Sequence, residues 1–300
     1  MKKKSNKIAL CREDRILSAV VNTVMVILLI IVLYPLIYVL SSSFSSGNAV
    51  SSGKVLLWPV EPSILGYRIV FSYRTVWTGY MNTIIYTVVG TAISIVLTVM
   101  AAYPLSRKGF QGRKFYTTIF MITMFFSGGM IPTYILMTKL GPNQTRWAVI
   151  LSGALSVYNT IIMRTFFQNS IPQDLFDAAR IDGINDFGYL FKIVMPLSKS
   201  VFSVILLYYA VAKWNSYFTA MLYLRERDMF PLQLILRDIL SAAKISLADL
   251  QDAELLAAMK GASDVMKYSL IVVAALPVLV AYPFVQKYFE KGVMIGSVKG

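Results

Sequence analysis

The stretch "ILSAVVNTVMVILLIIVLYPLIYVL" fills residues 16–40 and carries no charged side chain. A helix needs about 20 apolar residues to cross the hydrocarbon core of a bilayer. Lys2, Lys3, Lys4, Lys7, Arg12 and Arg15 precede the run. A basic start before apolar residues also describes a cleaved leader, but a leader's apolar region spans only about 7–15 residues. This run has 25, which predicts a retained first transmembrane helix. "IALC" ahead of residue 12 does not make a lipoprotein cleavage site, because the apolar region follows it.

The rest of the chain agrees with that start. Of its 300 residues, 57% are hydrophobic and 15% charged, and the mean hydropathy is +0.63. Soluble domains carry about 25% charge. The expectation is an all-α integral membrane protein. The net charge of +14 does not predict a nucleic-acid partner, since the basic residues flank apolar runs, where they set topology. Cys11 is the single cysteine and there is no histidine. That excludes an intrachain disulfide and argues against soft-metal or Cys/His catalytic chemistry. No catalytic residue, metal site or resident cofactor is expected.

Six spans are read, near 16–40, 81–105, 115–138, 147–168, 200–223 and 267–286. Lys and Arg gather in short cytoplasmic loops. Here they mark the N-terminal tail, Arg107 to Lys114, the region from Arg164 to Lys199, and Lys287, Lys291 and Lys299. Both termini are therefore placed inside. The organisation is a tail at 1–15 and a six-helix membrane domain at 16–290, with a C-terminal tail at 291–300. The membrane domain includes a polar inner loop at 170–196 and an external cap at 224–266. In the cap, Leu232, Ile235 and Ile239 have helical spacing.

Within the spans, Thr83, Thr87, Thr91, Ser94, Thr98 and Ala101 share a face, forming either a packing seam or a pathway wall. "FSGGMIP" (126–132) marks a kink or a hinge. Ser152, Ser156, Asn159 and Met163 share another face, bonded to a neighbouring helix or facing a wet pathway. Arg164 is placed to snorkel. Lys213 falls near the middle of the fifth span, beside Trp214, Asn215 and Tyr217. An intramembrane lysine faces a cavity or partner, unless the helix sits shallower and Lys213 reaches the outer interface. Asn159, Lys213, Trp214, Asn215 and Tyr217 are the candidate pathway residues.

The span centres hold no Asp, Glu or His. Ion-coupled carriers use intramembrane carboxylates or broken-helix ion sites, and a hydrolase needs a base. Nor is there a G-x-x-x-x-G-K-[ST] phosphate loop. Uphill transport by this chain would need an energy source on another one.

The inner loop contains "DAARIDGINDFGYLFKIVMP" (177–196). Pro172 suits a helix start, Asp174 and Asp177 suit its early turns, and Gly183 suits its stop. Asn185 then caps a second helix that reaches Pro196. Leu175, Ala178, Ala179 and Asp182 are expected on one side, the alanine pair forming a slim ridge. Asp177-Ala178-Ala179, three residues, Gly183, nine residues, Ile193, one residue, Met195-Pro196 resembles the E-A-A, G, I-x-L-P loop of binding-protein-dependent ABC importer permeases. Asp177 stands for Glu and Met195 for Leu. The tail "QKYFEKGVMIGSVKG" (286–300) and "WNSYF" (214–218) resemble the maltose-type sugar permeases, with Ser297 in place of a common Ala. "AELLAAMKG" (253–261) starts similarly but lacks the I-x-L-P ending and falls outside.

This resemblance implies a membrane subunit of an ATP-driven oligosaccharide importer in a bacterial cytoplasmic membrane. Among relatives the likeness is to permeases for large oligosaccharides, including uronate-type chains. It implies that Asp177, Ala178, Ala179, Asp182, Gly183, Ile193 and Pro196 dock in and couple to a cytosolic ATPase dimer, which binds ATP and Mg. ATP-driven closure would pull the loop inward and move spans three to five as a lever. Gly296, Ser297, Val298, Lys299 and Gly300 would reach the ATPase dimer. A second, homologous permease chain and an external solute-binding protein complete the expected heterodimeric assembly. A secondary carrier or a permease for a non-sugar solute are the alternatives.

Overall fold

The computed structural model describes residues 11–248 and 253–297. Among these, all regular structure is helical. In chain order the helices are α1 (Arg12–Ser43), α2 (Gly47–Ser51), α3 (Leu65–Ser72), α4 (Arg74–Ser106), α5 (Arg113–Phe125), α6 (Met130–Lys139), α7 (Arg146–Leu151) and α8 (Val157–Ser170). They continue as α9 (Gln173–Ile181), α10 (Asp186–Tyr189), α11 (Met195–Leu197), α12 (Lys199–Trp214), α13 (Tyr217–Tyr223), α14 (Leu232–Ala248) and α15 (Ala253–Ser297). A π-helical turn, Leu190–Val194, joins α10 to α11.

The described residues divide into two compact units, one comprising those up to Ser72 with Ala243–Val273, the other Tyr73–Ala242 with the residues from Ala274. In the first unit, α1 exposes apolar side chains around its circumference between Ile16 and Leu36. A helix that is apolar all round belongs in a non-aqueous surrounding. A run of serines ends it. Ser41 Oγ donates to the Leu57 carbonyl at 2.6 Å, and Ser45 Oγ accepts from Val60 N–H at 3.0 Å. Ala49, Val50, Val55 and Val265 form a small core beside this turn. Gly47 and Gly261 bring their backbones together: a Cβ on Gly47 would lie 2.7 Å from the Gly261 carbonyl carbon.

The second unit is organised on α4, which packs against α7, α8 and α12. The hydroxyl stripe of α4 is a packing seam, with Thr83, Thr91, Ser94 and Thr98 buried. Its first turns are fastened to the loop ahead of α14. Asn82 Nδ2 donates to the Asp228 carbonyl, Tyr86 OH to that of Met229, and Leu232 N–H donates to Thr83 Oγ1. Leu232 and Ile235 are buried, as their spacing predicts.

Among the described residues, three helices are long and apolar enough to cross a membrane: Glu13–Ser43, Arg74–Ser106 and Gly261–Pro283. Two bent pairs raise the number to five if each counts as one span. The expected third span is one such pair. Arg113–Phe125 and Met130–Lys139 meet at 116°, well beyond a kink. Pro132 has no N–H for the Gly128 carbonyl, so the helical ladder cannot cross the two glycines. The fifth span is not continuous over 200–223, because α12 stops at Trp214 and α13 begins at Tyr217. Lys213 therefore sits in the last turn of a helix, not at mid-span. The fourth span breaks at 152–156, where Gly153 has φ +65° and Ser156 starts a new helix by accepting from Asn159 N–H. Ser152 thus leaves the stripe of Ser156, Asn159 and Met163. Arg164 does not snorkel freely: its Nε donates to the Leu105 carbonyl at the end of α4, 3.1 Å away. The sixth span lies inside α15, so the expected tail boundary at 291 falls within a helix. Lys2 to Lys7, Val298, Lys299 and Gly300 lie outside the described residues.

Candidate functional site

The polar loop folds as a helix, a stop and a second helix, and each junction is made by nearby residues. Pro172 precedes α9 in extended conformation. Asp174 lies in its first turn and Arg180 in its last, both matched to the helix dipole. At Gly183 the backbone enters the left-handed region, φ +75°. Ile184 N–H donates to the Ala179 carbonyl at 2.8 Å and Gly183 N–H to that of Arg180 at 3.1 Å. These paired bonds are a Schellman closure, which satisfies the orphan carbonyls of the helix end. Asn185 Oδ1 then accepts from Gly188 N–H at 2.7 Å and starts α10.

The loop has two faces of different character. Ala179, Tyr189, Leu190 and Val194 are buried in one core with Val99 and Ala102 of α4, Met163 and Phe167 of α8, and Val201, Ile205 and Tyr209 of α12. Phe176, Ile184 and Ile193 pack against it. The other face exposes Asp177, Ala178 and Asp182, with Ile181 at 87% and Phe187 at 74%. The expected alanine ridge is therefore split, because Ala179 points into the core and Ala178 away from it. Pro196 is exposed in α11.

Between α9 and the end of α4 lies a groove of 680 Å³ lined by Arg107, Phe110, Gln173, Phe176, Asp177 and Arg180, among others. The Arg107 guanidinium stacks 3.5 Å from the Phe176 ring centre and 5.2 Å from that of Tyr189. Gln173 Nε2 donates to the Asp177 carboxylate at 3.2 Å. Tyr103 OH donates to the Asp186 carbonyl at 3.2 Å. The groove thus has an aromatic floor, two cations, Arg107 and Arg180, and two acids, Asp177 and Asp186.

The five candidate pathway residues do not form one surface. Lys213 is 5% exposed. Its ammonium donates to the carbonyls of Val149, Ile150 and Ser152 at 3.2, 2.8 and 2.6 Å. An ammonium has three N–H donors, and all three are taken, so Lys213 is a cap on the end of α7 instead of a solute-facing charge. Its stem crosses α4 at Gly90, where a Cβ would lie 3.0 Å from Lys213 Cε. Trp214 is buried and its indole donates to the Ala274 carbonyl at 3.1 Å. Asn159 is buried beneath the new start of α8. Asn215 and Tyr217 remain exposed at the α12–α13 break.

The sequence reading missed Gly90, Arg107 and Tyr209 as site-building residues. Gly90 alone had a signal, standing as a glycine within a long apolar helix. Arg107 read only as a topology charge. Gly296 and Ser297 end α15. Among the described residues no cluster of three His, Cys, Asp or Glu side chains could hold a metal ion.

No family model matches the chain. It is 39% identical to the polygalacturonan/rhamnogalacturonan transport system permease protein YtcP of Bacillus subtilis, over 96% of this chain and all of that one. It is 36% identical to protein LplC of the same organism, over 90% of each chain. Its structure matches that of a bacterial ABC transporter involved in the import of the acidic polysaccharide alginate. The TM-score is 0.84 at 36% identity, covering 94% of this chain and 100% of the other. With its apolar helices, its broken spans and its punctuated polar loop, this chain belongs to the ABC-transporter permeases for sugars and oligosaccharides, multi-pass membrane proteins that are not themselves enzymes.

Proposed function

We propose that the chain is one permease subunit of an ATP-driven importer that takes up an acidic, uronate-type oligosaccharide. It works in the bacterial cytoplasmic membrane with both termini inside and six crossings, three of them through broken helices. A second permease chain completes the pathway, an external solute-binding protein delivers the sugar, and a cytosolic ATPase dimer binds ATP and Mg. The similarity to a polygalacturonan/rhamnogalacturonan permease and to an alginate importer supports the acidic substrate class.

The observation that carries the coupling role is the two-faced loop at 172–196. One face is exposed, with the apolar Ile181 and Phe187 beside the acidic Asp177 and Asp182, and suits insertion into a cleft of a partner. The other is continuous with the core of α4, α8 and α12. A push on α9 therefore reaches three membrane helices through packed side chains, which resist compression. Asp177 supplies the acid that a basic cleft residue of the ATPase would meet. The C-terminal residues 296–300 make a second contact with the ATPase dimer.

Gly183→Pro tests the coupling. Proline cannot adopt φ +75° and lacks the N–H that bonds Arg180. The variant is expected to insert and accumulate normally while uptake and sugar-stimulated ATP hydrolysis disappear. Normal uptake by a well-expressed variant sinks the coupling role. For the substrate, ATP hydrolysis should respond to the binding protein loaded with an oligouronate and not to its neutral, esterified form. An equal response to both removes the acidic class.

A further inference from the structure

The break at 152–156 leaves two sets of orphan backbone groups, the last carbonyls of α7 and the first N–H groups of α8. In lipid such groups need partners inside the protein. Ser156 Oγ caps Asn159 N–H locally, and one turn of α12 meets further groups on both sides of the break. Lys213 donates to the carbonyls of Val149, Ile150 and Ser152. Four residues earlier, on the same face of α12, Tyr209 OH accepts from Ser156 N–H at 3.0 Å. The Tyr209 hydroxyl also lies 2.7 Å from Thr98 Oγ1. Thr98 spends its own proton on the Ser94 carbonyl, 2.7 Å away, so Tyr209 donates to Thr98 while accepting from Ser156. The two residues thus hold the upstream and downstream ends of the break, and Tyr209 ties the clamp to α4.

Tyr209 also belongs to the core that contains Ala179, Tyr189 and Val194 of the polar loop. A path of packed residues therefore runs from α9 along α12 to the break. We propose that Tyr209 and Lys213 are positioning residues for transport, a clamp by which movement of α12 is delivered to the interruption between α7 and α8. This rests on the coupling role of α9 proposed above. The clamp converts an interruption that would otherwise relax independently into a joint driven from α12. Lys213 acts on backbone carbonyls, not on the sugar.

The test uses the complete transporter in liposomes. Cys11, the only native cysteine, is replaced by serine, and Leu155→Cys, exposed within the break, is the reporter. Maleimide labelling of this parent is compared without nucleotide and after vanadate trapping. Tyr209→Phe keeps the ring and removes the hydroxyl, so it is the variant that best preserves folding. Lys213→Met keeps the stem, and Lys213→Arg keeps the cation. In Tyr209→Phe and Lys213→Met, the nucleotide dependence of labelling and the sugar imported per ATP hydrolysed should each fall about tenfold per assembled complex, the factor equal to one hydrogen bond's net worth. Lys213→Arg should recover part of both. A merely structural role would lower the yield of complex and leave both ratios unchanged, which overturns the proposal. Gly183→Pro is run alongside. If it is inactive while both clamp variants match the parent, the clamp alone falls. If it transports normally, the coupling reading falls and the clamp with it.

Discussion

Two polar interruptions in this apolar chain are built in opposite ways. The stop between α9 and α10 is closed by its neighbours: Ile184 to Ala179, Gly183 to Arg180 and Gly188 to Asn185. The break between α7 and α8 has a local cap at Ser156, but it is also held from more than fifty residues away, by Tyr209 and Lys213. Local closure uses residue types with fixed conformational preferences, so it can be read along the chain. Distant closure uses ordinary residues whose meaning depends on what the fold brings beside them. The first kind makes a rigid unit that can be moved whole. The second makes a joint whose state depends on another helix.

This contrast predicts an order of stability losses, measured by thermal unfolding of the purified complex in detergent. Lys213→Ala should cost most, about 3 kcal/mol, since it strands the buried carbonyls of Val149 and Ile150 and the part-buried one of Ser152 together. Gly183→Ala should cost about 1 kcal/mol from backbone strain alone. A Cβ there meets nothing within 4 Å, so no clash adds to it. Asn185→Ala should cost about 1 kcal/mol or less, and Asn185→Asp close to nothing, because aspartate caps as well. A loss at Gly183 larger than at Lys213 would reverse the contrast. Additive losses in a Lys213→Ala, Tyr209→Phe double variant would separate the two ends of the clamp, as coupled partners do not add.

The same division explains what could be read from the sequence. The apolar runs announced the membrane helices, because lipid demands length and composition. Pro172, Gly183 and Asn185 announced the helix, stop and helix. The faces of α9 were harder. Ala178 and Ala179 are alike in sequence, and only the packing of Phe176, Tyr189 and α4 decides which one turns inward. The breaks in the fourth and fifth spans were hidden because Ser and Gly in a membrane helix serve close packing as readily as interruption. Lys213 read as a possible solute ligand because an intramembrane cation marks function by default. The three carbonyls that answer it lie 61 to 64 residues away, beyond any local pattern.

The meeting of Gly47 and Gly261 carries a consequence for how this protein tolerates change. A Cβ on either residue would sit within 3.0 Å of the other's backbone. Most crowding in a protein can be relieved by trimming the partner. Here neither residue has a side chain to trim. A lesion at one position therefore has no intragenic suppressor at the other, and a genetic screen for second-site revertants of Gly261→Ala should return changes elsewhere or true reversion, never a substitution at Gly47.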